Sequence, residues 1–243
     1  MFVLIPYKGR SEQRVIAKGR LADCLSEPQR EDLAEAMFAN LIIAFDEFHQ
    51  VNPEVIEKIF VVSKDRQALN VVKALSIVKK QTVAIFAEPE TCQGLNDALN
   101  AAVEEAQQQG AKQCFIVHAD LPLVRASDIS ILMNDAALQK SNKKRSDIHI
   151  VQDKSKTGTN GLIIPLPNPI NFSFGVDSAR KHVREALILS AKGYKTHLFQ
   201  QEQLSFDLDE KGDLDALFAY HAADYFSPDN PVKRYLDQLC QQS

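Results

Sequence analysis

The chain has 243 residues, the length of one larger α/β unit and cramped for two domains. Its 45% hydrophobic and 25% charged residues are ordinary proportions for a globular chain that buries a core. A formal net charge of −4, spread along the sequence, argues against a nucleic-acid footprint but leaves room for a local basic pocket.

Residues 2–6 predict a short buried strand, and Lys8 and Arg10 follow too soon for a signal peptide. The segment 7–20 is basic, with Lys8, Arg10, Arg14, Lys18 and Arg20 against a lone acid, Glu12. Ser26 and Gln29 have the spacing of a capping box, Pro28 suits a first helical turn, and Leu33, Met37, Leu41, Phe45 and Phe48 form an apolar stripe. Strands are predicted over 59–62, 83–87 and 113–118, with helices over 66–75 and 95–109 between them; Gly110 is placed to end the latter. Farther on, helices are predicted over 127–139, 178–191, 212–221 and 232–240, and strands over 148–151, 162–165, 196–199 and 204–208. No apolar run approaches about 18 residues, so no membrane span is expected. The cysteines, Cys24, Cys92, Cys114 and Cys240, form no CxxC pair, and a reduced, cytoplasmic setting is expected.

Strand and helix alternate through the first half, which predicts a mostly parallel sheet covered on both faces. Ligands on such sheets bind beyond the carboxyl ends of the strands, so the segments after each strand are the ones to inspect. Asp120, in Ala119-Asp120-Leu121-Pro122-Leu123, follows a buried strand and can hold Mg²⁺ against phosphates or cap the next turn. Asp207 and Asp209 repeat the pattern; Asp209 can also serve as the N-cap of the following helix. The cations of 8–20 can neutralise a triphosphate or form a solvated loop, and neither GxxxxGK[ST] nor GxGxxG occurs. Residues 157–161, Thr-Gly-Thr-Asn-Gly, read as a hairpin turn or an anion loop. Gly175 and Ser178 precede a helix bearing Arg180, Lys181 and Arg184, which suits anion binding, capping or both. Asn96, after Gly94, can meet a base or ribose or cap a helix.

In their order these segments resemble the 2-phospho-L-lactate guanylyltransferase family, which includes the phosphoenolpyruvate guanylyltransferases of coenzyme F-420 biosynthesis. The resemblance is carried by Ala17-Lys18-Gly19-Arg20-Leu21, Leu25-Ser26 with the helix bearing Met37, and Gly94-Leu95-Asn96 with Ala98-Leu99. It continues in residues 119–123, Gly158-Thr159-Asn160, Phe174-Gly175 with Ser178, and Asp207-Leu208-Asp209 with Asp213-Leu214, and so spans roughly residues 1–217. It implies a single Rossmann-like domain of the GT-A nucleotidyltransferase type, with a mostly parallel mixed sheet. It also implies GTP, Mg²⁺ and a phosphorylated C3 acid: 2-phospho-L-lactate, phosphoenolpyruvate or 3-phospho-D-glycerate. By position, Lys18 and Arg20 resemble the triphosphate-binding and catalytic pair, with Lys8 beside them. Asp120, Asp207 and Asp209 resemble the metal carboxylates, Asp120 being catalytic as well. Gly94 and Asn96 are placed for guanosine, and Thr159, Asn160, Gly175 and Ser178 for the acid.

Two features depart from the family. The stretch between Lys8 and Lys18 is a few residues longer than usual, and a helical tail from about residue 220 has no clear counterpart. A symmetric homodimer is common among small enzymes of this kind. The alternatives are a sugar-phosphate or cytidylyl transferase on the same fold, and a regulatory protein that binds nucleotide without turnover.

Overall fold

The structure, a computed structural model, describes residues 1–9, 18–65, 68–75, 82–139 and 147–242, with side chains of 135–139 and 242 not considered. The short apolar runs become strands of one sheet because helices cover both faces and leave no polar side to alternate with. β1 (Phe2–Pro6), β2 (Lys58–Ser63), β3 (Val83–Ala87), β4 (Gln113–Val117), β5 (Ile148–Gln152), β6 (Thr159–Pro165) and β7 (Thr196–Phe199) lie in the order β3-β2-β1-β4-β6-β5-β7. β1 pairs in parallel with β2 and β4, β2 with β3, and β5 with β7. β6 runs antiparallel to β4 and β5. The start of β6 therefore lies at the edge where the other strands end, with Gly161 opposite Val117.

Successive residues of β1 face opposite layers. Val3 and Ile5 pack with Phe38 and Phe45 of α1 (Glu27–Val51), below α2 (Leu69–Ala74) and α4 (Ala126–Gln139). Phe2 and Leu4 pack with Leu99 and Ala102 of α3 (Leu95–Gln108) and near Ala186 of α5 (Ser178–Leu189). A third cluster joins Leu33 and Met37 of α1 to Leu217 of α7 (Lys211–Ala222) and Leu236 of α8 (Pro231–Gln242). The expected capping box starts α1: the Ser26 amide donates to Gln29 Oε1 (2.8 Å) and the Gln29 amide to Ser26 Oγ (3.5 Å). Gly110 follows α3 at φ 93°, the left-handed conformation a terminating glycine adopts at little cost. Among the described residues no helix is long and apolar enough to cross a membrane.

Three expectations are corrected. Residues 204–208 are not a strand. Leu204, Phe206 and Leu208 alternate and are buried, but Leu204 lies in the single turn α6 (Glu202–Ser205), closed by Ser205 N–H to the Gln201 carbonyl (2.8 Å). Asn160-Gly161 is not a turn: β6 begins at Thr159, and the reversal falls earlier, where the Asp153 amide donates to the Gly158 carbonyl (3.0 Å) and Asp153 Oδ1 accepts from the Thr157 amide (2.8 Å). Asp209 is not the cap of α7, since Glu210 and Asp213 form that capping box. Of the helix expected over 66–75, the structure shows Leu69–Ala74; Arg66 and Gln67 lie outside the described residues, as do Arg10, Glu12 and Arg14.

Candidate active site

A cleft of about 320 Å³ opens at the carboxyl ends of β1 and β4. Its walls carry Lys8, Gly9, Lys18, Arg20, Asp120 and Asp209, and Tyr7, Ala34 and Met37 add apolar surface. Tyr7 is fixed by stacking on Phe38, with ring centroids 4.0 Å apart. Two acidic segments distant in sequence meet here because the Leu208 amide donates to the Asp120 carbonyl (3.2 Å). Asp213, buried in α7, accepts from the amides of Asp209 (2.8 Å) and Glu210 (2.9 Å), pairs with Lys154, and holds the second segment.

Lys18 sits between the two carboxylates. Its Nζ donates to Asp120 Oδ2 (2.8 Å) and Asp209 Oδ1 (3.0 Å), while the exposed Arg20 guanidinium stands 3.6 Å from Asp209 Oδ2. The Lys18 backbone is left-handed, φ 50° and ψ 49°, a conformation costly for a side chain other than glycine and one that turns its ammonium into the site. Burial works against the Lys18 charge, but Asp120 and Asp209 outweigh it and raise the ammonium above its ordinary pKa. Burial likewise pushes the Asp120 carboxyl up, and Lys18 and His118 outweigh it and hold it below its ordinary range. Asp207 is pushed up by burial and by repulsion from Asp120, so it belongs to the same field. Among the described residues no three His, Cys, Asp or Glu side chains converge into a metal cage. That donor set suits Mg²⁺, which takes one or two carboxylates and completes its shell with phosphate and water oxygens.

The other expected site residues form a scaffold beside the cleft. Asn96 donates to the Phe174 carbonyl (3.2 Å) and accepts from its amide (2.8 Å), so its carboxamide clamps that loop. Ser178 Oγ accepts from the Thr159 amide (2.9 Å) and Asn160 Nδ2 donates to the Leu204 carbonyl (3.2 Å). His182 Nε2 accepts from the Ser173 amide (3.0 Å), which leaves the ring hydrogen on Nδ1 for Thr159 Oγ1 (3.0 Å). Gly94 (φ 149°) and Gly175 (φ 116°) are the open points, where an added Cβ would meet nothing within 4 Å.

His118 is the site residue that sequence reasoning passed over. It follows the buried run of β4, two positions before Asp120, and lines the cleft. A polar residue where an apolar strand reaches the ligand edge was the available signal. Burial lowers its pKa, aided by Lys18 and opposed by Asp120 and Asp209.

Residues 1–237 match the family described as "Guanylyl transferase CofC like". The chain belongs to this family. It is 30% identical over 216 residues to the phosphoenolpyruvate guanylyltransferase of Conexibacter woesei, covering 89% of this chain and 86% of that one. It is 26% identical over 213 residues to the 2-phospho-L-lactate guanylyltransferase of Methanothermobacter thermautotrophicus, covering 86% and 83%. A solved structure described as a "putative nucleotide-diphospho-sugar transferase" from Desulfovibrio desulfuricans G20 superposes with a TM-score of 0.69 at 14% identity, covering 99% of this chain and 96% of that one. The shared architecture is the GT-A-like nucleotidyltransferase fold. The family match extends to residue 237, within α8.

Proposed function

We propose that the chain transfers GMP from GTP to a small phosphorylated carboxylic acid and releases pyrophosphate, the step that the family resemblance links to coenzyme F-420 biosynthesis. The observation that carries this reading is the Lys18 ammonium held by Asp120 and Asp209 in a cleft at the carboxyl ends of the strands. A phosphate oxygen of the acid attacks the α-phosphorus. The new P–O bond forms as the α–β bridging bond breaks, and pyrophosphate takes the electron pair. A phosphate is already nucleophilic, so catalysis rests on positioning and charge neutralisation. Lys18 and Arg20 receive the charge that grows on pyrophosphate, and Lys8 extends the cationic wall. Asp120 and Asp209, with Asp207 beside them, are the residues that would hold Mg²⁺. When bound, the ion neutralises the reacting phosphates. Gly94 leaves space for the nucleoside, Asn96 fixes the adjoining loop, and Thr159, Asn160, Gly175 and Ser178 shape the acid side.

The test is pyrophosphate release with Mg²⁺, using GTP, ATP and CTP each against 2-phospho-L-lactate, phosphoenolpyruvate and 3-phospho-D-glycerate. Release is expected with GTP and one of the acids. Asp120→Asn should lower that rate roughly 100-fold or more, the scale of losing a charge-stabilising group. GTP binding without release from any pair would reject the reading.

A further inference from the structure

His118 lines the cleft just past the end of β4, two positions before Asp120. Lys18 and Arg20 belong to the loop after β1, where pyrophosphate would leave. Next to that loop lies the carboxyl end of β4, which pairs with β1, and beyond it the start of β6. There His118 donates its backbone amide to the Asn160 carbonyl (3.0 Å) and lays its ring against Phe174, centroids 5.3 Å apart. Asn96 pins the Phe174 backbone at both its amide and its carbonyl, so the ring rests on a fixed surface. The His118 ring nevertheless has an unmet need: Nε2 is sealed from solvent and has no hydrogen-bond partner. Buried polar atoms are nearly always paired, and an orphan at a cleft wall points to a partner that arrives with a ligand.

Building on the guanylyltransferase reading, we propose that His118 is a specificity-determining residue for the acceptor, its imidazole hydrogen-bonding an oxygen of the phosphorylated acid. With its hydrogen on Nε2 the neutral ring donates there, and a bond to an anionic oxygen is of the stronger, charge-assisted kind. The ring selects the acid and leaves the nucleotide to Lys8, Lys18 and Arg20.

The experiment compares steady-state pyrophosphate release by the full chain and two variants, using GTP and the acid the wild type accepts. His118→Phe keeps a flat ring on Phe174 and removes both nitrogens, while His118→Gln restores a donor. The Phe variant should raise KM for the acid about tenfold or more, the loss expected for a hydrogen bond to a charged group. Its KM for GTP and its melting temperature should stay close to the wild-type values. The Gln variant should recover part of the acid affinity. If His118→Phe keeps the acid KM, or raises both KM values together, the proposal is overturned while the guanylyltransferase reading stands. A wild-type chain that releases pyrophosphate with no acid overturns both.

Discussion

A lysine shared by two carboxylates, like Lys18, is held by attraction that outweighs burial. His182 is the opposite case, a ring buried because it stays neutral. Its ring has no solvent exposure, and its pKa falls to about 4 through burial first and then the nearby His118 and Lys181. The unfolded chain takes up a proton at His182 near the ordinary value of 6.5, and the folded chain resists until about 4. The contribution of the neutral ring is therefore whole above the unfolded value and is lost as pH falls from 6.5 to about 4. That depression corresponds to about 3 kcal/mol. Urea midpoints measured from pH 7.5 down to 4 should fall more steeply for the wild type than for His182→Gln. Parallel slopes would mean that the ring does not carry this load.

At the scale of elements, α1 does more than cover the sheet. Its buried Asn40 donates to the carbonyls of Pro122 (3.3 Å) and Val124 (3.0 Å), and its Oδ1 accepts from Asn230 (2.7 Å). That carboxamide thus ties the loop that carries Asp120 to α1. Asn40→Leu leaves these buried groups unmatched and should cost roughly 2–4 kcal/mol in chemical denaturation. It should also lower kcat where the protein remains folded; undiminished stability and kcat would disprove the seat. This residue shows what the sequence could not reveal. Apolar periodicity and caps made β1 to β4, α1 and α3 legible, because burial and chain reversal leave local patterns. Lys18, Asp120 and Asp209 were legible as charges at strand ends. Their convergence was not, because it depends on a backbone bond between Leu208 and Asp120, far apart in sequence. The run 204–208 misled for a related reason: alternation reports burial, and here Leu204 is buried against the sheet and Phe206 and Leu208 in the cluster with α7 and α8, without strand pairing.

For the whole molecule, the question is whether the C-terminal helix is an appendage or part of the core. α8 packs on α1, and Val232 and Leu236 are fully buried beside Leu33, Met37 and Leu217. Met37 also lines the cleft, so the same cluster supports the site from below. His221 of α7 bonds Asp237 of α8 and ties the two helices, while Lys233 pairs with Asp237 within α8. A helix so placed stabilises the domain whether or not it meets another copy. Leu236→Ala should leave a cavity and cost about 2–5 kcal/mol. In a chain of this size that lowers the melting temperature by roughly 5–15 °C. Activity per folded molecule, measured well below the transition, should change far less, since Leu236 is not among the residues that line the cleft. A variant that melts with the wild type but changes oligomeric state would instead make α8 an interface. A lowered melting temperature with retained turnover makes it the outer layer of the core.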